Sequence, residues 1–154
     1  MPEFPKRKNL RLQDFDYSQN GYYFITICTH KRQRLFGDIV GATLCGRPGQ
    51  MIEKWLFEIQ NKFEDVIIYD YVIMPDHLHF IMSKTGDHTG SPLRDIVGWF
   101  KTMTTNDYIK KVKKNEYAPF VDKIWQRGYF EHIIRDEKDY LTKAEYIRNN
   151  IYKL

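Results

Sequence analysis

The stretch VIIYDYVIMPDHLHFIMSK (66–84) constrains the fold more than any other part of the chain. It holds two runs rich in β-branched and aromatic residues, each of strand length, and Pro75 ends the first. On a strand, residues two apart share a face. His77, His79 and Ile81 therefore point one way, and Leu78, Phe80 and Met82 the other. Two imidazoles on one face of an apolar strand are the feature to be explained.

The remaining elements fall around this pair of strands. GYYFITICTH (21–30) follows an Asn-Gly turn signal and reads as a strand. LFGDIVGATLCGRPG (35–49) is glycine-punctuated and reads as a short hairpin or irregular segment. MIEKWLFEIQNKF (51–63) carries Ile52, Trp55, Leu56 and Ile59 at helical spacing. TGDHTGSP (85–92) reads as a loop, with Ser91 as N-cap and Pro92 at the first helical position of a long helix over 93–114. Ile96, Phe100 and Met103 lie on one face of that helix. KIWQRGYFEHIIR (123–135) has strand character broken at Arg127-Gly128, and Asp136 with Asp139 resembles a capping box opening a final helix over 136–154. The order β-α-β-β-α-β-α is a repeated split β-α-β unit. It predicts an α+β, ferredoxin-like, four-stranded antiparallel sheet with an added C-terminal helix. The first and third strands lie centrally, and the third carries the histidines. The 154 residues suit a single domain over 1–154, in which 1–20 form a basic, polar arm.

Composition narrows the function. The net charge of +4 allows an acidic partner without requiring one. The N-terminal stretch has no apolar h-region, and no apolar run approaches the roughly 20 residues that span a bilayer. No leader and no membrane contact are expected. Cys28 and Cys45 have no metal-type spacing, and Cys28 lies in an apolar run as a small core residue. A reduced, cytoplasmic setting fits that usage.

Imidazoles sharing a strand face can converge on one cation. The alternative is a hydrogen-bonded pair in a half-exposed sheet. A histidine-triad nucleotide site would need a third histidine where Ile81 stands, and a structural zinc site wants four ligands. His30, His88 and His132 form no second close pair, and His132 reads as a structural strand residue. An open site that shares its cation with substrate oxygens suits two histidines better. Among the 11 tyrosines, helical spacing selects one. Tyr146 has Asn150 at i+4, and an amide oxygen can bind a metal, whereas Tyr140 and Tyr108 have Ala144 and Val112 there. Tyr140, Ala144, Ile147 and Ile151 form the docking stripe of the last helix, so Tyr146 and Asn150 flank it. The plain alternative for Tyr146 is an amphipathic packing residue with a wet hydroxyl.

Basic clusters supply candidate phosphate contacts: Lys6, Arg7, Lys8 and Arg11; Lys31, Arg32 and Arg34; and Lys101 with Lys110, Lys111, Lys113 and Lys114. Charge runs are more often solvated faces. Gln126 and Arg127 beside Trp125 would suit unpaired bases, although Trp125 also reads as a core anchor beside the turn at Gly128.

PDHLH with its apolar continuation, WQRGYFEHIIRDEKDY, the closing YIRNN and the opening RLQDFDYSQNGYYFITICTHKRQRLFG, in this order, resemble the REP-associated tyrosine transposases and their single-tyrosine insertion-sequence relatives. These are HUH enzymes, named for histidine-hydrophobic-histidine. The resemblance spans nearly the whole chain. It implies His77, His79 and Asn150 as ligands of Mg²⁺ or Mn²⁺, and Tyr146 as nucleophile. It implies metal-dependent nicking and joining of single-stranded DNA, bearing hairpins, through a 5′-phosphotyrosine. A homodimer that supplies Tyr146 in trans is compatible with it. The insertion-sequence relatives tend to carry Gln at the position of Asn150, and the REP-associated group Asn followed by Pro, where this chain has Ile151. Two other readings compete: a non-catalytic nucleic-acid-binding module, since RGYFEHI (127–133) approaches an RNA-recognition signature on an edge strand, and a phosphodiesterase in which water attacks.

Overall fold

The computed structural model describes residues 21–37, 48–85 and 92–150. Four strands and three α-helices alternate as β1 (Gly21–Cys28), α1 (Pro48–Lys62), β2 (Val66–Met74), β3 (His77–Lys84), α2 (Leu93–Lys113), β4 (Phe130–Ile134) and α3 (Glu137–Asn150). The sheet is antiparallel throughout, in the order β2-β3-β1-β4. This is the expected ferredoxin-like arrangement, with β1 and β3 central and β4 at an edge.

Each face of the sheet has its own core. Tyr23, Ile25 and Ile27 of β1 and Leu78, Phe80 and Met82 of β3 are buried with Ile52, Leu56 and Ile59 of α1 and Leu93, Ile96, Val97, Phe100 and Tyr108 of α2. Burying several such side chains contributes about 2 kcal/mol each. The indole of Trp55 donates to Asp107 (2.8 Å) and ties α1 to α2. On the opposite face Phe24, Val72, Met74 and Ile81 pack with Ala144 and Ile147 of α3. That second face carries the histidines. The added helix therefore covers them, and the half-exposed sheet considered from sequence does not occur.

Several boundaries differ from the sequence reading. Helix α1 opens at Pro48, inside the stretch expected to be irregular; residues 38–47 lie outside the described residues. Pro92 is the N-cap of α2 instead of its first helical residue, and Ser91 lies outside the described residues. The buried stripe of α2 runs on through Thr104 and Tyr108, while Met103 is half-buried. Strand character over 123–135 is confined to β4, because residues ahead of it follow a separate course. There Trp125 forms one bridge with Thr29, donates its indole N–H to Thr104 Oγ1 (2.9 Å) and packs on Phe36 and Phe100. It is the core anchor. At the start of α3, Asp136 Oδ1 accepts the Asp139 N–H (2.8 Å), half of a capping box. The Asp139 carboxylate turns instead to His132 Nε2 (2.7 Å), fastening α3 to β4.

Candidate active site

Antiparallel pairing sets His77 opposite Cys28 and His79 opposite Thr26. Both rings are buried, at 1% and 0% exposure, with centroids 4.7 Å apart. Phe24 stacks on His79 at 5.5 Å. Helix α3 brings Tyr146 over this pair: its ring lies 5.2 Å from His79 and 5.9 Å from Phe24. Asn150, one turn on, is buried. Tyr146 of α3 thus stands against the histidine pair of β3, with Asn150 one turn further along the same helix.

Hydrogen bonding orients the imidazoles. His79 Nδ1 lies 2.7 Å from the Thr26 hydroxyl. His77 Nδ1 donates to Asp76 Oδ1 at 2.6 Å, since a carboxylate only accepts. Asp76 Oδ2 accepts from Arg32 Nε at 3.1 Å. The Arg32 guanidinium also approaches His77 Nδ1 at 3.3 Å. Both groups are donors there, so the shorter carboxylate bond fixes the proton. His77 Nε2 and Asn150 Nδ2 are buried and make no hydrogen bond to the protein among the described residues.

Electrostatics keep these histidines neutral. Burial pushes the His77 pKa down, and Asp76 only partly opposes it. Burial, then the neighbouring His77 and Arg32, hold His79 at about 3, against 6.5 for an ordinary imidazole. Burial pushes the Tyr146 phenol up, and the neighbouring Asn150 amide partly pulls it back. Burial also pushes Asp76 up, but hydrogen bonds from His77 and Arg32 more than offset this and leave it below the ordinary carboxylate value.

The His79 shift has a testable sign. Between pH about 3 and 6.5 the unfolded chain binds a proton that the folded chain refuses. Stability is then full above the unfolded value and falls as pH drops through that window. The metal-free protein is expected to lose roughly 1 kcal/mol per unit in the steep part. Thermal melts in EDTA at neutral and mildly acidic pH check this. His79→Gln should flatten the dependence, and an equally steep loss in that variant would place its origin elsewhere.

The basic candidates are dispersed. Lys31 and Arg34 are exposed, as are Lys110, Lys113, Lys114, Gln126 and Arg127. Lys111 pairs with Glu116 at 3.5 Å. Lys101 donates to the carbonyls of Gln126 (2.9 Å) and Gly128 (2.6 Å), so it holds the approach to β4. Lys6, Arg7, Lys8 and Arg11 lie outside the described residues. Three participants escaped the sequence reading: Thr26, Phe24 and the pairing of Asp76 with Arg32. Thr26 and Phe24 become visible only once the β1–β3 register is known.

Comparison with known proteins agrees with this architecture. The family model described as "Transposase IS200 like" matches residues 17–150. A Haemophilus influenzae protein of uncharacterised function is 34% identical, over 94% of this chain and 87% of its own length. A second protein from that organism, classed as a REP-associated tyrosine transposase, is 29% identical over 90% of this chain and 74% of its own. Two solved structures share the fold. A REP-associated tyrosine transposase bound to a REP hairpin superposes with a TM-score of 0.65 at 22% identity, covering 99% of this chain and 74% of that one. A Deinococcus radiodurans protein classed as a transposase gives 0.57 at 16% identity, covering 90% and 97%. A match over most of the chain, together with the shared fold, settles the family: this chain belongs to the IS200-like transposases, a family of enzymes.

Proposed function

We propose that the chain nicks and rejoins single-stranded DNA, carrying hairpins, through a covalent bond between Tyr146 and a 5′-phosphate. The observation that carries this is the convergence of Tyr146 with His79, 5.2 Å apart, beneath the family's added helix. Tyr146 Oη attacks phosphorus and displaces the 3′-oxygen of the preceding nucleotide. The phenol loses its proton, the departing oxygen gains one, and the phosphotyrosine keeps the phosphoester energy for rejoining. Mounting Tyr146 and Asn150 on one helix ties the nucleophile to the rest of the site. Within one chain Tyr146 lies against His79, which favours catalysis in cis over a homodimer that exchanges Tyr146.

The residues fit a divalent cation, Mg²⁺ or Mn²⁺. Among the described residues the buried Nε2 of His77 makes no hydrogen bond, and both imidazoles are held neutral, the form that binds metal. For His79 to offer Nε2, its Nδ1 donates to Thr26. Among the described residues no three His, Cys, Asp or Glu side chains gather, and the amide oxygen of Asn150 is the third protein ligand of this proposal. When bound, such a cation neutralises the phosphodiester and polarises its oxygens. DNA as substrate goes with a cytoplasmic setting; among the described residues no helix is long and apolar enough to cross a membrane.

Two observations weigh against a purely binding module: α3 covers the centre of the sheet face that such a module would present, and β4, with its RNA-like signature, is an edge strand. Incubation with hairpin-bearing single strands, followed by denaturing electrophoresis and mass spectrometry, tests the proposal. A nucleotide is expected on the Tyr146 peptide. Cleavage without any adduct would identify a water-using phosphodiesterase, and binding without cleavage a binding module.

Affinity for single-stranded DNA should weaken steeply with salt, because each phosphate contacted releases about 0.7 counterions. Charge reversal at Lys110, Lys111, Lys113 and Lys114 is expected to flatten the slope of log affinity against log salt. An unaltered slope would make that helix end a solvated face.

A further inference from the structure

We propose that Asp76, clamped by Arg32, is a positioning residue that fixes the His77 tautomer and thereby turns Nε2 toward the proposed cation. Resting on that metal-site reading, the inference concerns a carboxylate and a guanidinium that the reading does not itself use. Arg32 accordingly belongs to the site's scaffold instead of contacting phosphate.

The geometry around the Pro75-Asp76 turn carries the argument. Asp76 has two carboxylate oxygens and each has one assigned donor. Oδ1 takes the Nδ1 proton of His77 at 2.6 Å, and Oδ2 takes Arg32 Nε at 3.1 Å. With Nδ1 protonated, a neutral imidazole has its lone pair on Nε2, and that atom lies buried without a hydrogen bond among the described residues. A carboxylate behind a metal-binding histidine raises its basicity and locks its ring.

The backbone is shaped to deliver Arg32. The segment after β1 wraps the turn: the Thr29 N–H donates to Asp76 O (2.9 Å) and the Phe36 N–H to Pro75 O (3.1 Å). Between them lies a 3₁₀ turn, His30–Arg32, in which Lys31 and Arg32 both hold φ of 55°. Two consecutive non-glycine residues in the left-handed region are unfavourable and persist only when their surroundings hold them there. Gln33 does much of that holding, with Nε2 donating to the carbonyls of His30 (2.9 Å) and Lys123 (3.1 Å) and Oε1 accepting the Val121 N–H (2.7 Å). The strained pair ends with the guanidinium against Asp76. An arginine serving only as a surface phosphate contact needs none of this.

The test uses Asp76→Asn, which keeps size and removes charge, and Arg32→Gln. Nitrogen chemical shifts of the His77 ring, read in the metal-free protein, should report Nδ1–H in the wild type and a tautomer mixture in Asp76→Asn. Calorimetric Mn²⁺ affinity should fall about 10–100-fold in Asp76→Asn and less in Arg32→Gln. The salt slope of DNA binding should stay unchanged in Arg32→Gln. Melting curves establish that both variants fold. Unchanged tautomer and unchanged Mn²⁺ affinity in Asp76→Asn would overturn the inference. A shallower salt slope with unchanged Mn²⁺ affinity in Arg32→Gln would return Arg32 to DNA. His77→Ala separates the levels: if it leaves Mn²⁺ binding intact, the metal reading itself fails. If it abolishes binding while Asp76→Asn does not alter it, only the positioning role falls.

Discussion

Tyr146→Phe is expected to abolish covalent attachment to DNA and to slow cleavage by about 10⁴-fold or more, the scale seen when a nucleophile is deleted. The substitution removes one oxygen. The ring keeps its edge-to-face contacts with Phe24 and His79, at 5.9 and 5.2 Å, so α3 stays docked. Mn²⁺ and DNA affinities should therefore remain within roughly threefold of wild type. Asn150→Ala should give the complementary defect, a fall in Mn²⁺ affinity of about tenfold or more with the nucleophile still present. Electrophoretic adduct assays read the first defect and calorimetry the second. The two should separate, because in the proposed mechanism one side chain acts on phosphorus and its neighbour a turn away acts on the cation. Undiminished adduct in Tyr146→Phe, with the nucleotide on a Tyr129 or Tyr140 peptide, would move the nucleophile. Continued cleavage without adduct would remove the tyrosine mechanism altogether.

What the sequence revealed depended on the reach of each signal. Alternation along HLHFIMSK placed His77 and His79 on one face, and the i, i+4 rule placed Tyr146 beside Asn150; both are local regularities of a single element. Tyr146 meets His79 only because α3 crosses the face of β3, which no local pattern states; the element order and the family resemblance point to it. Burial was misjudged for the same reason. An alternating strand shows which residues share a face but not that a later helix covers it, so two wholly buried imidazoles were weighed as a half-exposed pair. Asp76 stands next to His77 in the sequence, but no local pattern shows that its carboxylate turns back onto the imidazole. Its partner Arg32 lies 44 positions away and looked like one member of a basic cluster. For Lys101 the charge suggests phosphate, and the two backbone carbonyls that it reaches come from a distant segment. Long side chains reveal their partners only in three dimensions.

The second large effect is expected on β3 itself. His77→Ala and His79→Ala should each eliminate Mn²⁺-dependent cleavage, since each removes one of the two neutral imidazoles proposed to hold the cation. Their effects on stability should differ in origin. Removing the His79 ring opens a cavity against Phe24, His77 and Tyr146 and deprives the Thr26 hydroxyl of its 2.7 Å partner. That combination costs about 2–3 kcal/mol, which lowers the melting temperature by roughly 5–10 °C in a domain of this size. Removing His77 leaves Asp76 without the donor to Oδ1, but Arg32 and solvent still reach that half-exposed carboxylate. The loss of stability should be smaller. Added Mn²⁺ should raise the melting temperature of the wild type and of neither variant, because a ligand stabilises only the state that binds it. A Mn²⁺-dependent rise that survives in both variants would take the cation away from this strand, and would leave the buried histidine pair as a packing feature of the sheet.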